Sequence, residues 1–463
     1  MCGIVGGLTP NIALGVDALY HRGPDARGAI TIGKVSLGHT RLSIIDVDAR
    51  SNQPFQYGRV TLVLNGEIWN YQELRAQLQA KGKVFTTEGD TEVLAAMLDE
   101  YHLDALPQLQ GMFAIAWTYD GEVLWLARDR FGETPLHVSF EQPFRFASET
   151  KALLLMGCHP KSIQDLPPGC HLRVDTNEKH APCTMTVWYR PPIKPQPISL
   201  EEAAPQLYRH LMWGTMERTI SDVPVCTLLS GGIDSAATAY FLKQRYPNLV
   251  AYTAVFDTKS QDLRSAREVA DMLNIELREI PIPPPTAEGC VDVIRHIEMP
   301  YKAQVEIGWP CLQLARAMQA DGFKVTYSGE GSDELWASYG FAYHALQTEN
   351  WHSYRRDLFL TQARKNFMRC NKIFMAHGIE CRLPFLNTGL VEFALSLPQN
   401  AVADGRQKPK AVLQRAFAGK LPDRITRRPK MAFQDGLGIK KVYERVAADP
   451  QRFYKAEHAR LFT

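Results

Sequence analysis

Two groups of residues in this chain carry the marks of chemistry, one at its start and one past its midpoint. The first begins at Cys2. Removal of Met1 leaves Cys2 with a free α-amine beside its thiol, and methionine is readily clipped when the next side chain is small. The amine, with a reference pKa of about 7.7–8.0, takes the thiol proton directly or through one water, and the thiolate is the attacking species. Such a nucleophile needs groups that hold a substrate and stabilise an oxyanion. Arg41, within His39–Asp46, offers a guanidinium fork suited to a carboxylate. Asp90, within Glu88–Glu92, offers a counter-charge for an ammonium. Asn65 and Gly66, just before Glu67 at a strand end, offer an amide and a backbone N–H to a developing oxyanion. Each has a plainer reading alone: Arg41 as a surface residue, Asn65-Gly66 as a hairpin turn, Asp90 as the N-cap of a helix beginning near Thr91.

The second group is Ser230-Gly231-Gly232-Ile233-Asp234-Ser235, with Ser328-Gly329-Glu330-Gly331-Ser332-Asp333-Glu334 further on. Neither is a Walker A motif, since no Gly-Lys-Ser/Thr ending is present. A glycine turn between strand and helix still makes an anion cradle from backbone N–H groups and the helix dipole. Asp234 in a phosphate cradle makes sense only if a cation joins it. Mg²⁺ bridging Asp234 and phosphate oxygens meets that need, with Asp333 as a second carboxylate. A tight Gly-Gly turn capped by Asp and Ser explains the local geometry equally well, but leaves the second acidic glycine loop at another strand end unexplained.

The elements that must position these groups fall into two halves. With 463 residues, two or three domains are expected. Short strand-like runs dominate the first half, at Val60–Leu64, Gly111–Thr118 and Val123–Ala127, the last two joined by the turn signal Tyr119-Asp120-Gly121. Helical spacing occurs at Tyr71–Lys81 and Thr91–Tyr101. The stretch 188–197 holds four prolines and reads as an extended linker. Beyond it, Val223–Leu229, the glycine turn, a helix through Gln244 and Leu249–Phe256 form a βαβ unit, which implies a parallel sheet. Phe323–Tyr327 is a further strand, and helices are expected at Leu358–Lys372 and Leu390–Leu397. The expected organisation is residues 1–190, a linker over 191–200, and residues 201–463.

Composition narrows the function classes. Hydrophobic residues make up 45% and charged residues 22%, ordinary for a globular enzyme. A net charge of +2 gives no general affinity for nucleic acid or anionic membranes. No apolar run is long enough to span a bilayer, and the start lacks the features of a secretory signal. Nine cysteines without a CxxC pair argue against a structural zinc site, and fit reduced thiols in the cytoplasm.

Taken together, the first half resembles the glutaminase domain of class II, N-terminal-nucleophile glutamine amidotransferases, specifically of asparagine synthetases. The matching segments are MCGIVGG, HRGPD (21–25), HTRLSIID (39–46), LNGEIWNY (64–71), GDTE (89–92), ARDRFGETPL (127–136) and FASETKALL (146–154). The resemblance implies an α+β Ntn-hydrolase-like sandwich in which Cys2 is nucleophile and, through its amine, base. Arg41 would hold the glutamine carboxylate and Asp90 with Glu67 its amino group. Ile44 and Ile45 would line the glutamine site, and Asn65 and Gly66 would form the oxyanion hole. Thr134 stands where the family usually has a basic residue, and His137 where it has an aromatic.

The second half resembles the PP-loop synthetase domain of the same family, an α/β parallel-sheet domain of adenine nucleotide hydrolase type with added helices. The matches are SDVPVCTLLSGGIDS (221–235), DLRSAREVADML (262–273), YSGEGSDEL (327–335), GIECRLPFLN (378–387) and RRPKMAFQDGLG (427–438). The resemblance implies ATP held by Leu229, Ser230, Gly231, Gly232, Asp234, Ser235, Val255, Ser328 and Gly329, with Mg²⁺ on Asp234 and Asp333. Glu330 would accept a proton near the reacting carbonyl. Lys430 would stabilise the transition state at the α-phosphate. The acceptor site would draw on Glu306, Glu330, Asp333 and Arg382.

The implied activity is a glutamine-dependent amide synthetase that forms AMP and pyrophosphate and passes ammonia between its sites. Its expected partners are glutamine, ATP and a small carboxylic acid; a homodimer is compatible with it. Alignment of Lys302–Pro310 puts Glu306 where asparagine synthetases carry an arginine, so an acceptor other than aspartate is expected, with aspartate as the alternative. A β-lactam synthetase-like cyclase and an inactive regulatory homologue are the other readings.

Overall fold

Along β1 (Gly3–Gly7) the side chains of Ile4 and Val5 point to opposite faces, and each enters a different core. That alternation builds the first half as a layered sandwich. The computed structural model describes residues 1–176, 182–338, 350–403, 409–428 and 440–463, side chains at 362–364, 440 and 441 excepted. After β1 come α1 (Ala13–Ala18), β2 (Ala26–Ile32), β3 (Val35–Arg41), β4 (Phe55–Tyr57) and β5 (Val60–Ile68). Then follow α2 (Tyr71–Ala80), α3 (Asp90–Tyr101), β6 (Gly111–Thr118), β7 (Val123–Arg128), β8 (His137–Ser139) and β9 (Arg145–Ala147). The half closes with α4 (Thr150–Leu155), β10 (Ile163–Asp165), β11 (Cys170–Asp175) and β12 (Cys183–Val187).

Two antiparallel sheets result, ordered β10-β8-β9-β1-β3-β2 and β12-β11-β7-β6-β5-β4. Ile4, Leu37, Val63, Ala116, Leu126 and Phe146 fill the layer between them. Val5, Val16, Leu19 and Leu153 seal the outer face of the first sheet under α1 and α4, while α2 and α3 cover the second. The strands and helices read from periodicity in this half are present, and β5 runs on to Ile68. This is an α+β sandwich of two antiparallel sheets with helices on the outer faces.

No strand or helix lies between Val187 and Leu200. The segment is nonetheless fastened. Arg130 lies over the rings of Trp188 and Tyr189, at 5.0 and 5.2 Å, and the Tyr189 hydroxyl donates to Glu392 at 3.0 Å.

The second half opens with α5 (Leu200–Met216), started by a capping box: Ser199 Oγ accepts from Glu202 N and the Glu202 carboxylate accepts from Ser199 N. Then come β13 (Cys226–Leu228), α6 (Ile233–Arg245), β14 (Val250–Val255), α7 (Gln261–Leu273) and β15 (Glu276–Pro281). They are followed by α8 (Ala287–Ile297), α9 (Lys302–Ala320), β16 (Val325–Tyr327), α10 (Ser332–Leu335), α11 (Trp351–Met375), β17 (Glu380–Arg382) and α12 (Thr388–Ser396). Strands β13, β14 and β15 pair in parallel, as do β16 and β17, and a parallel bridge from Val225 to Val325 joins the two groups. The carboxyl ends of β13 and β16 therefore lie side by side, which is where both glycine loops emerge.

Buried polar ties cross between the halves. Arg218 pairs with Glu133 at 3.0 Å, and Arg22 donates to Asn371 at 2.9 Å. His137, the departure from the family's aromatic, bridges Asp165 (2.7 Å) and Lys372 (3.1 Å), and Lys372 pairs in turn with Glu298. No described helix is long and apolar enough to cross a membrane.

Candidate active sites

Cys2 immediately precedes β1, beside β3 and β5. Its backbone N–H donates to Asn65 Oδ1 at 2.9 Å, and its carbonyl accepts from Arg22 Nε at 2.9 Å. Burial pushes the thiol up to about 11, so it needs a base before it can attack. Asn65 Nδ2 donates to Ser148 Oγ at 3.2 Å. Gly66 has φ +140°, and a Cβ there would stand 1.9 Å from the Met112 carbonyl oxygen. Only glycine fits, and Asn65 and Gly66 lie within β5 rather than in a hairpin turn.

Arg41 is buried, not a surface residue. Its guanidinium donates to the Asp46 carbonyl, the Asp48 carbonyl (2.8 Å) and Asn52 Oδ1 (2.8 Å), which fastens the loop after Ile44 and Ile45. The Ile44 carbonyl accepts from Asp222 N of the second half at 2.9 Å. Asp90 does not cap α3, whose N-cap is Gly89. Its carboxylate instead accepts from Ile68 N at 2.9 Å, turned towards β5.

Glu67 and Asp90 are both buried. Burial, then the Glu380 and Asp90 charges, raises the Glu67 carboxyl well above the usual carboxylate range; burial pushes Asp90 up to about 6. A carboxyl near 6 in the fold and about 3.9 unfolded is harder to ionise when folded. Stability linked to it is full below pH ~4 and is lost as pH rises through 6, a cost of about 3 kcal/mol at neutral pH. Asn keeps an acceptor for Ile68 N. Asp90→Asn is therefore expected to raise the urea midpoint at pH 7.5 by an amount that shrinks towards zero near pH 4, while glutamine hydrolysis falls. An equal midpoint shift at both pH values would contradict a titration origin.

In the second half, Leu229, buried, donates its N–H to the Tyr252 carbonyl at 2.9 Å, and the cradle follows. Gly231 has φ +73°, with the Asp262 carbonyl oxygen 2.5 Å from where a Cβ would be. Ser230 N donates to Ser235 Oγ at 3.1 Å, closing the turn over Gly232, the N-cap of α6. The other loop meets it at Gly329, where a Cβ would lie 2.8 Å from Asp234 Cβ. Ser328 N donates to the Arg382 carbonyl at 3.0 Å, and the Val255 carbonyl accepts from Ile282 N at 2.9 Å.

Asp234 and Asp333 meet around one cation. The ammonium of Lys410 stands 2.6 Å from Asp234 Oδ2 and 2.6 Å from Asp333 Oδ1, and Ser332 Oγ donates to Asp234 Oδ1 at 2.6 Å. Lys410 adopts φ +71°, which lysine rarely takes. The described residues hold no cluster of three or more metal-ligating side chains. Mg²⁺ commonly binds through one or two carboxylates plus phosphate oxygens, and a lysine ammonium standing between two aspartates marks a seat of the right charge. Asp234 and Asp333 thus fit the ion.

Glu330 accepts from Arg369, whose other arm donates to Gln304 Oε1 at 3.0 Å; Gln304 Nε2 donates to Asn366, and Asn366 to Glu334 at 2.7 Å. Glu306 and Arg382 were also expected at the acceptor. Glu306 lies 3.8 Å from Lys302 Nζ on its own helix, and its charge acts on Cys290, Tyr443 and Tyr454. Arg382 is fully buried against the first half: it pairs with Glu380 at 2.7 Å and lies over the Trp69 ring at 4.8 Å. Lys430 lies outside the described residues. Lys410, Arg369 and Glu380 were not singled out from the sequence. Lys410 stands just before a short helix, Ala411–Ala416, where no motif signals it.

A family model described as "Glutamine amidotransferase domain" matches residues 1–166, and one described as "Asparagine synthase" matches 206–368 and 348–451. Asparagine synthetase B (glutamine-hydrolyzing) of Escherichia coli (strain K12) is 32% identical over 461 residues, covering 94% of this chain and 81% of that protein. Asparagine synthetase (glutamine-hydrolyzing) 2 of Lotus japonicus is 32% identical over 445 residues, 91% of this chain and 74% of that protein. Among solved structures, a glutamine phosphoribosylpyrophosphate amidotransferase from B. subtilis covers 62% of this chain and 82% of its own, at 18% identity and a TM-score of 0.37, too slight a likeness to decide anything.

Proposed function

We propose, since the chain belongs to the glutamine-hydrolysing asparagine synthetase family, that it releases ammonia from glutamine at Cys2 and uses it to amidate an acid activated by AMP transfer. It is a glutamine-dependent carbon–nitrogen ligase. The AMP-forming reading rests on the resemblance of the glycine loop to the PP-loop, and the observation that supports a nucleotide there is Lys410's ammonium between Asp234 and Asp333. Two carboxylates from separate glycine loops, at the carboxyl ends of adjacent strands, share a cation where a nucleotide's phosphates would enter.

In the first step the Cys2 amine, once Met1 is gone, takes the thiol proton, and the thiolate attacks the side-chain amide carbonyl of glutamine. Arg41 holds the substrate carboxylate, Glu67 and Asp90 its ammonium, and Asn65 with Gly66 meets the oxyanion. The amine hands the thiol proton to the leaving nitrogen, and collapse to a thioester expels ammonia, which passes between the halves. Water then cleaves the thioester to glutamate and frees the Cys2 thiol. In the second step a carboxylate oxygen of the acceptor attacks the α-phosphorus of ATP and pyrophosphate leaves. Ammonia then adds to the acyl-adenylate carbonyl, Glu330 takes the surplus proton, and AMP leaves. Mg²⁺ held by Asp234 and Asp333 supplies charge neutralisation for the triphosphate when bound. Lys430, by resemblance, steadies the α-phosphate in transit.

The charge reversal at 306 was the ground for an acceptor other than aspartate. With Glu306 beside Lys302, and the guanidinium of Arg369 beside Glu330, aspartate becomes the first acid to test. Incubation with glutamine, ATP and a panel of amino and hydroxy acids is expected to yield AMP and pyrophosphate in equal amounts, and an amide with aspartate. ADP as product would overturn the AMP-forming reading. A kcat/KM for aspartate below about 10⁴ M⁻¹s⁻¹, alongside faster turnover of another acid, would restore the specialised-acceptor alternative.

A further inference from the structure

Glu380 belongs to β17 of the second half, yet its carboxylate lies in the first site. It is the nearest acidic partner of the Met1 α-ammonium, which also stands 3.8 Å from Glu67 Oε1. Glu380 is fully buried, and its other partner is Arg382 Nε at 2.7 Å. The Asp90 carboxylate also feels this ammonium and the Glu380 charge. Three buried carboxylates, Glu67, Asp90 and Glu380, thus surround one fixed guanidinium and one ammonium.

Removal of Met1, which the chemistry of Cys2 requires, takes that ammonium away. Three carboxyl groups, of which Glu380 is the one held ionised by its neighbours, then face a single guanidinium. Arg382 cannot turn to serve them all, because its NH1 is held by the carbonyls of Arg218 (2.5 Å) and Ile220 (2.7 Å). A buried carboxylate that loses one of its two cationic partners is destabilised, so the seat favours a new cation. The freed Cys2 amine is not placed to fill it, since that nitrogen donates to Asn65 Oδ1. The seat lies one residue from the nucleophile, about 3.5 Å of chain. That is within reach of a substrate whose ammonium is a few bonds from the carbon under attack.

We propose that Glu380 is a substrate-binding residue of the glutaminase site, holding the α-ammonium of glutamine together with Glu67 in the place that Met1's own ammonium takes here. This rests on the glutaminase reading of Cys2. It makes the first site a product of both halves, complete only when β17 is docked against it. Strand β17 also touches the second site: the Arg382 carbonyl accepts from Ser328 N, and Cys381 lies against Cys370 with sulfurs 3.3 Å apart. Glutamine seated on Glu380 therefore bears on the strand that hydrogen-bonds to the start of the second glycine loop.

The test compares hydrolysis of glutamine with that of 4-carbamoylbutanoate, the same molecule without its α-amino group, by the full mature chain. The wild type is expected to prefer glutamine in kcat/KM by about 100-fold or more. Glu380→Gln is expected to lower kcat/KM for glutamine by about tenfold or more, chiefly through KM, and to leave the analogue unchanged, so that the preference collapses. Glu380→Asp, which keeps the charge, is expected to recover part of the preference and serves as the deciding variant if the Gln form does not fold. An equal loss on both substrates, or an undiminished preference, would overturn the proposal and leave Glu380 as an interface residue. Absence of hydrolysis by the wild type would overturn the glutaminase reading and this one with it.

Discussion

Cys2→Ala is expected to abolish glutamine-driven amide formation while ammonia-driven formation continues within about twofold of the wild type. The thiol is buried in the first half, whereas the Asp234 and Asp333 loops emerge from strands of the second. Methyl for thiol removes the nucleophile without touching the hydrogen bonds from Cys2 N to Asn65 or from Arg22 to the Cys2 carbonyl. Loss of the thioester route costs the full catalytic effect, on the order of 10⁴-fold or more in hydrolysis. A tag left ahead of Cys2 should act alike, because it abolishes the free amine and fills the seat beside Glu67 and Glu380. Paired assays with glutamine and with ammonium salts read both arms. Glutamine-driven turnover that survives in the alanine variant would remove Cys2 from the mechanism.

The second large effect is expected at the aspartate pair. Asp234→Asn or Asp333→Asn halves the charge of the cation seat, and synthetase turnover should fall by about 10²–10³-fold, the scale of losing one preorganised electrostatic contact. Hydrolysis at Cys2 should persist at least in part. Lys410 sharpens the test. As it stands, the lysine competes with a metal for the same oxygens, so Lys410→Met should tighten Mn²⁺ binding to the nucleotide-free protein, read by electron paramagnetic resonance or calorimetry. The aspartate variants should weaken it. Mn²⁺ affinity that ignores both substitutions would mean that the two aspartates are not the metal's ligands, whatever happens to activity.

Much of this molecule follows from short stretches of sequence, for identifiable reasons. Strands β5, β6 and β7 are visible because a short apolar run bounded by turn signals reads as a buried strand, and α6 because Gly232 and Ser235 mark its start. Asn65-Gly66 stands out because Gly66 alone tolerates φ +140° against the Met112 carbonyl. Asp234 and Asp333 are legible for a similar reason. Each follows a strand and a glycine turn, so local chain geometry already sends both loops to the same edge of a parallel sheet.

Other residues acquire meaning only through packing. Along α9, Gln304, Val305, Glu306, Gly308 and Trp309 are all buried. Burial on every side erases the periodicity that would say which side chain faces the nucleotide loops, and only the structure brings Gln304 to Arg369. Strand β17 has three residues, too few for alternation to declare itself, and Arg382 faces the first half beside Glu380. Lys410 reaches Asp234 across 176 positions of sequence, and Glu380 reaches Met1 across 379. The sequence by itself determined the two chemistries, because a nucleophile at a strand start and carboxylates in glycine turns depend on neighbours a few residues away. Only the tertiary structure decided which distant charges complete each site, because a buried charge is held by whatever the fold brings within about 3 Å of it.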